Sequence, residues 1–222
     1  MGSEMCIRDR INRVKIIKPH ASGWPFIAII ALSGFIIGTV FGIPFIFSIC
    51  FALVAIYLFR IQLSTISLDQ NAIVAPLNGT ITHAETKNLP YELVPFYLPY
   101  KNIGIRSGLL SAASLHAPAS IKIIQKQKIE DTNRRSILIK ALILDSIENN
   151  NSGEIIMIFS SSMSFLYPEC SVEVQDTLSK GQNFGFLPFG GKLDLLVSDT
   201  FSTSRVVNQT CISGETILAV LD

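Results

Sequence analysis

The sequence predicts a mostly β domain, a compact antiparallel sandwich, preceded by an N-terminal hydrophobic helical hairpin. Three observations carry this. From Ala21 to Phe59 no residue is charged. After about Ser67 the apolar residues fall into short runs broken by Gly, Pro and Asn, the pattern of strands joined by turns. Periodic helical stretches are nearly absent beyond that point, which argues against helix layers. A chain of 222 residues can hold one domain with a real core plus a membrane segment. The divisions expected are a tail at 1–10, a basic flank and membrane hairpin at 11–62, and a β domain at 63–222.

Residues 1–10, MGSEMCIRDR, are unlike the rest and read as a translated adaptor, outside the fold. As one helix the uncharged run would be nearly twice the bilayer core at about 1.5 Å per residue. Gly42 and Pro44 interrupt it, so two helices are expected, Trp24–Val40 and Phe45–Phe59, each near the lower limit for spanning. Arg13, Lys15 and Lys18 precede the run and Arg60 follows it, which for a hairpin puts both flanks on the cytoplasmic side. Trp24 and Tyr57 sit near its ends, where amphipathic rings prefer the interface. The run either spans or is re-entrant.

The strands expected are Ala72–Val74, Thr80–Ala84, Ile103–Ile105, Ile121–Gln125, Ile137–Leu144, Glu154–Ser160 and Ser171–Val174. Gly185–Phe189, Lys192–Leu196, Ser204–Val207 and Thr216–Leu221 complete them. The turns Lys180-Gly181-Gln182 and Ser213-Gly214-Glu215-Thr216 are spaced like those of a hammerhead sandwich that carries biotinyl and lipoyl groups. No Met-Lys-Met attachment motif is present, which argues against a swinging-arm carrier.

A net charge of +1 gives no basic field for nucleic acid. The cysteines Cys6, Cys50, Cys170 and Cys211 form no C-x-x-C and have no histidine at ligand spacing. They read as free thiols in a reducing compartment, and no metal site is expected.

The stretch Phe189-Gly190-Gly191-Lys192-Leu193-Asp194 lies between Lys180-Gly181-Gln182-Asn183-Phe184-Gly185 and Ser213-Gly214-Glu215-Thr216-Ile217-Leu218-Ala219. That order resembles the C-terminal region of the short, prokaryotic-type phosphatidylserine decarboxylases. Lys18-Pro19-His20-Ala21-Ser22-Gly23-Trp24-Pro25 resembles their N-terminal segment, and the likeness covers most of residues 14–222. In that family the middle motif reads Phe-Gly-Ser, then a basic residue, an apolar residue and Asp. The resemblance makes the serine the self-cleavage point and the source of a pyruvoyl cofactor. Here that position is Gly191, preceded by Gly190. Pyruvoyl formation needs a hydroxyl to attack the preceding carbonyl and a Cβ from which the ester eliminates. Glycine has neither, so no cofactor is expected.

Other positions depart the same way. The family's Ser-Pro-Ala-Asp-Gly aligns with Ala75-Pro76-Leu77-Asn78-Gly79, which puts a neutral amide where the acid stands. An amide is no general base, and Asn78-Gly79 reads instead as a turn tolerating positive φ. The family's histidine motif aligns on Ala117-Pro118, which puts Ala113 at the histidine and His116 at an arginine. His116 reads as a surface or hydrogen-bonded structural side chain, with a displaced acid/base group as the less favoured reading, and His20 and His83 carry no constellation. Most of a polar loop is deleted between Ile124 and Asn133, and Ser160-Ser161-Ser162-Met163-Ser164-Phe165 replaces a segment with two arginines suited to phosphate.

The resemblance implies a membrane-attached protein of phospholipid metabolism on the cytoplasmic side of the inner membrane, and the losses imply a non-catalytic one. Its partners would be the lipid bilayer and either phospholipid head groups or an active paralogue. Two alternatives stay open: an active decarboxylase by another route, and a structural module for lipid-synthesis enzymes.

Overall fold

The computed structural model describes residues 23–60, 69, 71–87, 100–108, 111, 114–131, 134–144, 153–164, 166–198, 201–203 and 207–221. The chain falls into two compact units, Met1–Ile61 and Gln62–Asp222.

The first unit holds α1 (Trp24–Val40) and α2 (Pro44–Leu58). Each begins with proline in its first turn, where a missing N–H costs nothing. Phe41-Gly42-Ile43 joins them, with Gly42 at φ 76°. Gly34 and Gly38 lie one turn apart on α1 and let α2 approach. A Cβ at Gly34 would be 2.8 Å from the Phe51 Cβ, and one at Gly38 would be 2.6 Å from the Pro44 Cα. Ser48 Oγ donates across the pair to the Ala31 carbonyl at 3.2 Å. The remaining surface is apolar: Ile29, Leu32, Ile36, Val40, Phe45 and Leu53 are all exposed. At 17 and 15 residues the helices are about 25 and 22 Å long. No described helix is long and apolar enough to cross a membrane.

The second unit is all antiparallel β among its described residues. In chain order its strands are β1 (Ala72–Val74), β2 (Gly79–Lys87), β3 (Tyr100–Ser107), β4 (Ser114–His116), β5 (Ile121–Asp131), β6 (Arg134–Ile143) and β7 (Glu154–Ser161). There follow β8 (Glu169–Cys170), β9 (Thr177–Leu178), β10 (Asn183–Phe186), β11 (Gly191–Ser198), β12 (Phe201–Thr203), β13 (Thr210–Cys211) and β14 (Ile217–Leu221). They make one large sheet, β13-β2-β3-β11-β7-β6-β5-β9, and two small ones, β1-β14-β12 and β4-β10-β8. One face of the large sheet carries Ile103, Ile105, Met157, Phe159, Leu193 and Leu195, all buried. Phe159 meets Phe184 of β10 edge-to-face at 5.8 Å, which joins the large sheet to a small one.

The two small sheets are related by a pseudo-two-fold visible in their hydrogen bonds. Val74 N–H donates to the Pro118 carbonyl, and His116 N–H donates to the Pro76 carbonyl, both at 2.9 Å. Ala75 is clasped by Gly214 N–H and the Thr216 carbonyl. Ala117 is clasped in the same way by Gly181 N–H and the Gln182 carbonyl. Gly181 and Gly214 have φ of 74° and 79°, so both turns need glycine at the same place. The dipeptides Ala75-Pro76 and Ala117-Pro118 are the sequence trace of this duplication.

Three expected strands need correction. Ser171–Val174 is not a strand: the pairing residues are Glu169 and Cys170, and Val174 sits in a turn with Gln175. The expected Gly185–Phe189 begins at Asn183 and ends at Phe186, because Pro188 and Phe189 form a turn. Of Ser204–Val207, residues 204–206 lie outside the described residues and Val207 is in a turn, while Phe201–Thr203 is the strand.

Candidate functional site

The chain reaches Gly191 through the turn Leu187-Pro188-Phe189-Gly190, closed by Gly190 N–H donating to the Leu187 carbonyl at 3.2 Å. Pro188 fixes the second position, and Phe189 (φ 58°) and Gly190 (φ 74°) are both left-handed. Phe189 has a Cβ, so the segment just before Gly191 is strained. Gly191 then opens β11 between Ser107 of β3 and Ser161 of β7. Strand alternation puts Gly191 on the core face with Leu193 and Leu195, and turns Lys192 and Asp194 to the other face.

No side chain fits at this point. A Cβ on Gly191 would lie 2.2 Å from the Ser160 carbonyl oxygen and 3.0 Å from Leu187 Cδ2. A Cβ on Gly190 would lie 2.7 Å from the Ser107 carbonyl oxygen. Position 191 therefore lacks both the hydroxyl and the room a serine would need. Two hydroxyl-bearing residues pair with Gly191: Ser161 Oγ accepts from Met163 N–H at 3.2 Å, and the buried Ser107 Oγ has no partner among the described residues.

Asn78 is buried, and its Oδ1 accepts the Ser213 backbone N–H at 2.8 Å. The expected left-handed Asn-Gly turn is not formed, since neither Asn78 nor Gly79 has a positive φ. Glycine is needed at 79 for a different reason: a Cβ there would be 2.3 Å from the Arg106 carbonyl oxygen across the β2–β3 pair. Of its two expected structural places, His116 takes the hydrogen-bonded one and not the surface one. It is 4% exposed, and its Nδ1 is 2.8 Å from Ser213 Oγ. Asn78 and His116 thus converge on Ser213, itself completely buried. The pseudo-two-fold explains the convergence, because it packs the β1 and β4 segments together and holds the Ser213 turn over Ala75. Ala113 lies outside the described residues.

His83, expected to carry no constellation, has a single carboxylate neighbour among the described residues. Its Nε2 is 3.3 Å from Asp194 Oδ1, and its ring lies over Gly104, where any Cβ would collide with it. This pair is half-exposed on the sheet face opposite Gly191. Among the described residues no three His, Cys, Asp or Glu side chains converge as a metal site requires. Cys50, Cys170 and Cys211 are free thiols. Burial raises the Cys170 thiol to about 12.

Residues 51–219, about three quarters of the chain, match the family model described as Phosphatidylserine decarboxylase. No solved structure matches the chain.

Proposed function

The chain belongs to the phosphatidylserine decarboxylase family, and from that premise we propose that it is a membrane-attached, non-catalytic homologue acting in phospholipid metabolism. One observation carries the reading. At the position the motif assigns to the processing serine there is glycine, and a Cβ there would stand 2.2 Å from a backbone oxygen of the neighbouring strand. The electrophile that would capture a substrate amine has no source at that place. Asn78, in the position of the acid, is supported in a structural role by its bond to Ser213 N–H. Asp194 and the flanking turns are kept, which fits a scaffold retained around an emptied site.

Membrane attachment is supported by the helical unit, whose exposed surface is apolar on every side and is suited to lipid rather than water. The β unit would then lie on the cytoplasmic side of the inner membrane, near phospholipid head groups or an active paralogue. The pseudo-symmetric small sheets support the biotinyl- and lipoyl-like arrangement suggested by the two glycine turns.

The test uses the full chain in detergent, mixed with vesicles containing phosphatidylserine. No carbon dioxide should be released above a protein-free control, and the chain should float with the vesicles. Turnover sensitive to hydroxylamine or borohydride, which attack ketones and Schiff bases, would sink the non-catalytic reading. A chain that stays in the dense fraction would sink the membrane part alone.

A further inference from the structure

We propose that the Ile212–Ser213 peptide bond is a self-cleavage site, with Ser213 as nucleophile and His116 as its base. The four groups that such a reaction needs surround this one bond. The nucleophile is Ser213 Oγ, fully buried and 2.8 Å from His116 Nδ1. In the tautomer protonated on Nε2, the hydroxyl donates to Nδ1 and the imidazole can take its proton. The carbonyl to be attacked, that of Ile212, accepts Thr216 N–H at 3.0 Å and Glu215 N–H at 3.2 Å. Two backbone donors on one oxygen stabilise the negative charge that develops when the carbonyl becomes tetrahedral. The departing nitrogen, that of Ser213, donates to Asn78 Oδ1 at 2.8 Å. An acceptor there steadies this nitrogen as it gains a proton.

The step balances without any other reagent. Ser213 Oγ bonds to the Ile212 carbonyl carbon, and the bond from that carbon to the Ser213 nitrogen breaks. The hydroxyl proton passes through His116 to the nitrogen, leaving an ester between Ile212 and the Ser213 side chain and a free amine on Ser213. Water then hydrolyses the ester to an Ile212 carboxylate and restores the hydroxyl. Ile212 is 44% exposed, so the turn that holds the ester borders solvent although Ser213 is enclosed. The released segment, residues 213–222, contains β14, which stays hydrogen-bonded to β1 and β12. The cut chain therefore keeps its fold. The step uses no group at Gly191, so the proposal stands independently of whether the protein turns over phospholipid.

The experiment is denaturing intact mass of the full chain purified in detergent, before and after incubation with hydroxylamine, which resolves esters. Expected are a fragment ending at Ile212 and a peptide beginning at Ser213, with hydroxylamine accelerating the split and leaving a hydroxamate on Ile212. Ser213→Ala should remain one species, Ser213→Thr should still cleave, and His116→Gln should slow cleavage at least tenfold. Cooperative thermal unfolding of Ser213→Ala confirms that it folds. A wild-type chain that stays intact after prolonged incubation overturns the proposal, as does the same cut in Ser213→Ala. A cut between Gly190 and Gly191 instead would overturn the non-catalytic reading as well.

Discussion

Replacing Gly191 with serine supplies the missing hydroxyl and at the same time tests whether the site has closed. The new Cβ would lie 2.2 Å from the Ser160 carbonyl oxygen, about 1 Å inside the usual carbon–oxygen contact of about 3.3 Å. The obstacle is backbone, and β7 cannot yield easily because it is paired on one side with β6 and on the other with β11. Overpacking of this kind costs about 1–3 kcal/mol. For a domain of this size each kcal/mol lowers Tm by about 2–4 °C, so a loss of roughly 2–12 °C is expected. Gly191→Ala introduces the same Cβ and should lose about as much. Serine should not initiate self-cleavage at residue 191, because Asn78 and Ala113 still hold the positions that the resemblance gives to the acid and the histidine. The assay is thermal unfolding by circular dichroism on the detergent-solubilised chain, with intact mass read on the same samples. An unchanged Tm for both variants would refute the steric argument. A Gly191→Ser chain that splits between residues 190 and 191 would refute the chemical one.

Three further outcomes are expected. Gln175 is exposed in a turn at φ 81°, so Gln175→Gly should remove left-handed strain and stabilise the fold by up to about 1 kcal/mol; a denaturant midpoint that falls would count against this. Asn78→Ala orphans the buried Ser213 N–H and should cost about 1–3 kcal/mol, whereas Asn78→Asp keeps an acceptor and should cost less. Equal losses in urea unfolding would show that the bond is not the source. With its thiol raised from 9.0 to about 12 by burial, Cys170 should be roughly one part in ten thousand thiolate at pH 8 and resist maleimide until the protein unfolds. Because its folded value lies above its unfolded one, the stability it contributes is present below pH 9 and is lost as pH rises toward 12. Fast native labelling of Cys170, found by peptide mapping, would contradict its burial.

The helices were legible almost to the residue. Gly42 and Pro44 break an otherwise uninterrupted apolar run, and proline can open a helix but rarely continues one. The long strands were legible from their apolar cores but not in their length. β5 runs on to Asp131 through Lys126, Lys128 and Glu130, which read as loop because their polar side chains show no burial period. The two-residue strands β8, β9 and β13 carry too few side chains for any period to show. At the site, the lost hydroxyl could be read directly from Gly191. The closure around it could not, because the obstructing oxygen belongs to Ser160, brought alongside only by the β7–β11 pairing. The meeting of His116 with Ser213 was equally hidden, since 97 positions separate them. Only the repeated Ala-Pro dipeptide hinted that two distant segments occupy equivalent places.

That internal duplication also bears on how the protein is made. One of its halves pairs Ala72 of β1 with Val220 of β14, so an early segment must wait for one synthesised much later. The other half, β4 with β10, closes sooner, but its Pro118 carbonyl accepts from Val74, a residue of the waiting half. The β1-β14-β12 sheet is not bonded until β14 has left the ribosome. Contacts so distant in sequence form slowly and leave apolar strand edges exposed meanwhile. Until then β1 lacks its partner strand, and mutations that delay the final pairing should reduce yield before they reduce the stability of molecules already folded.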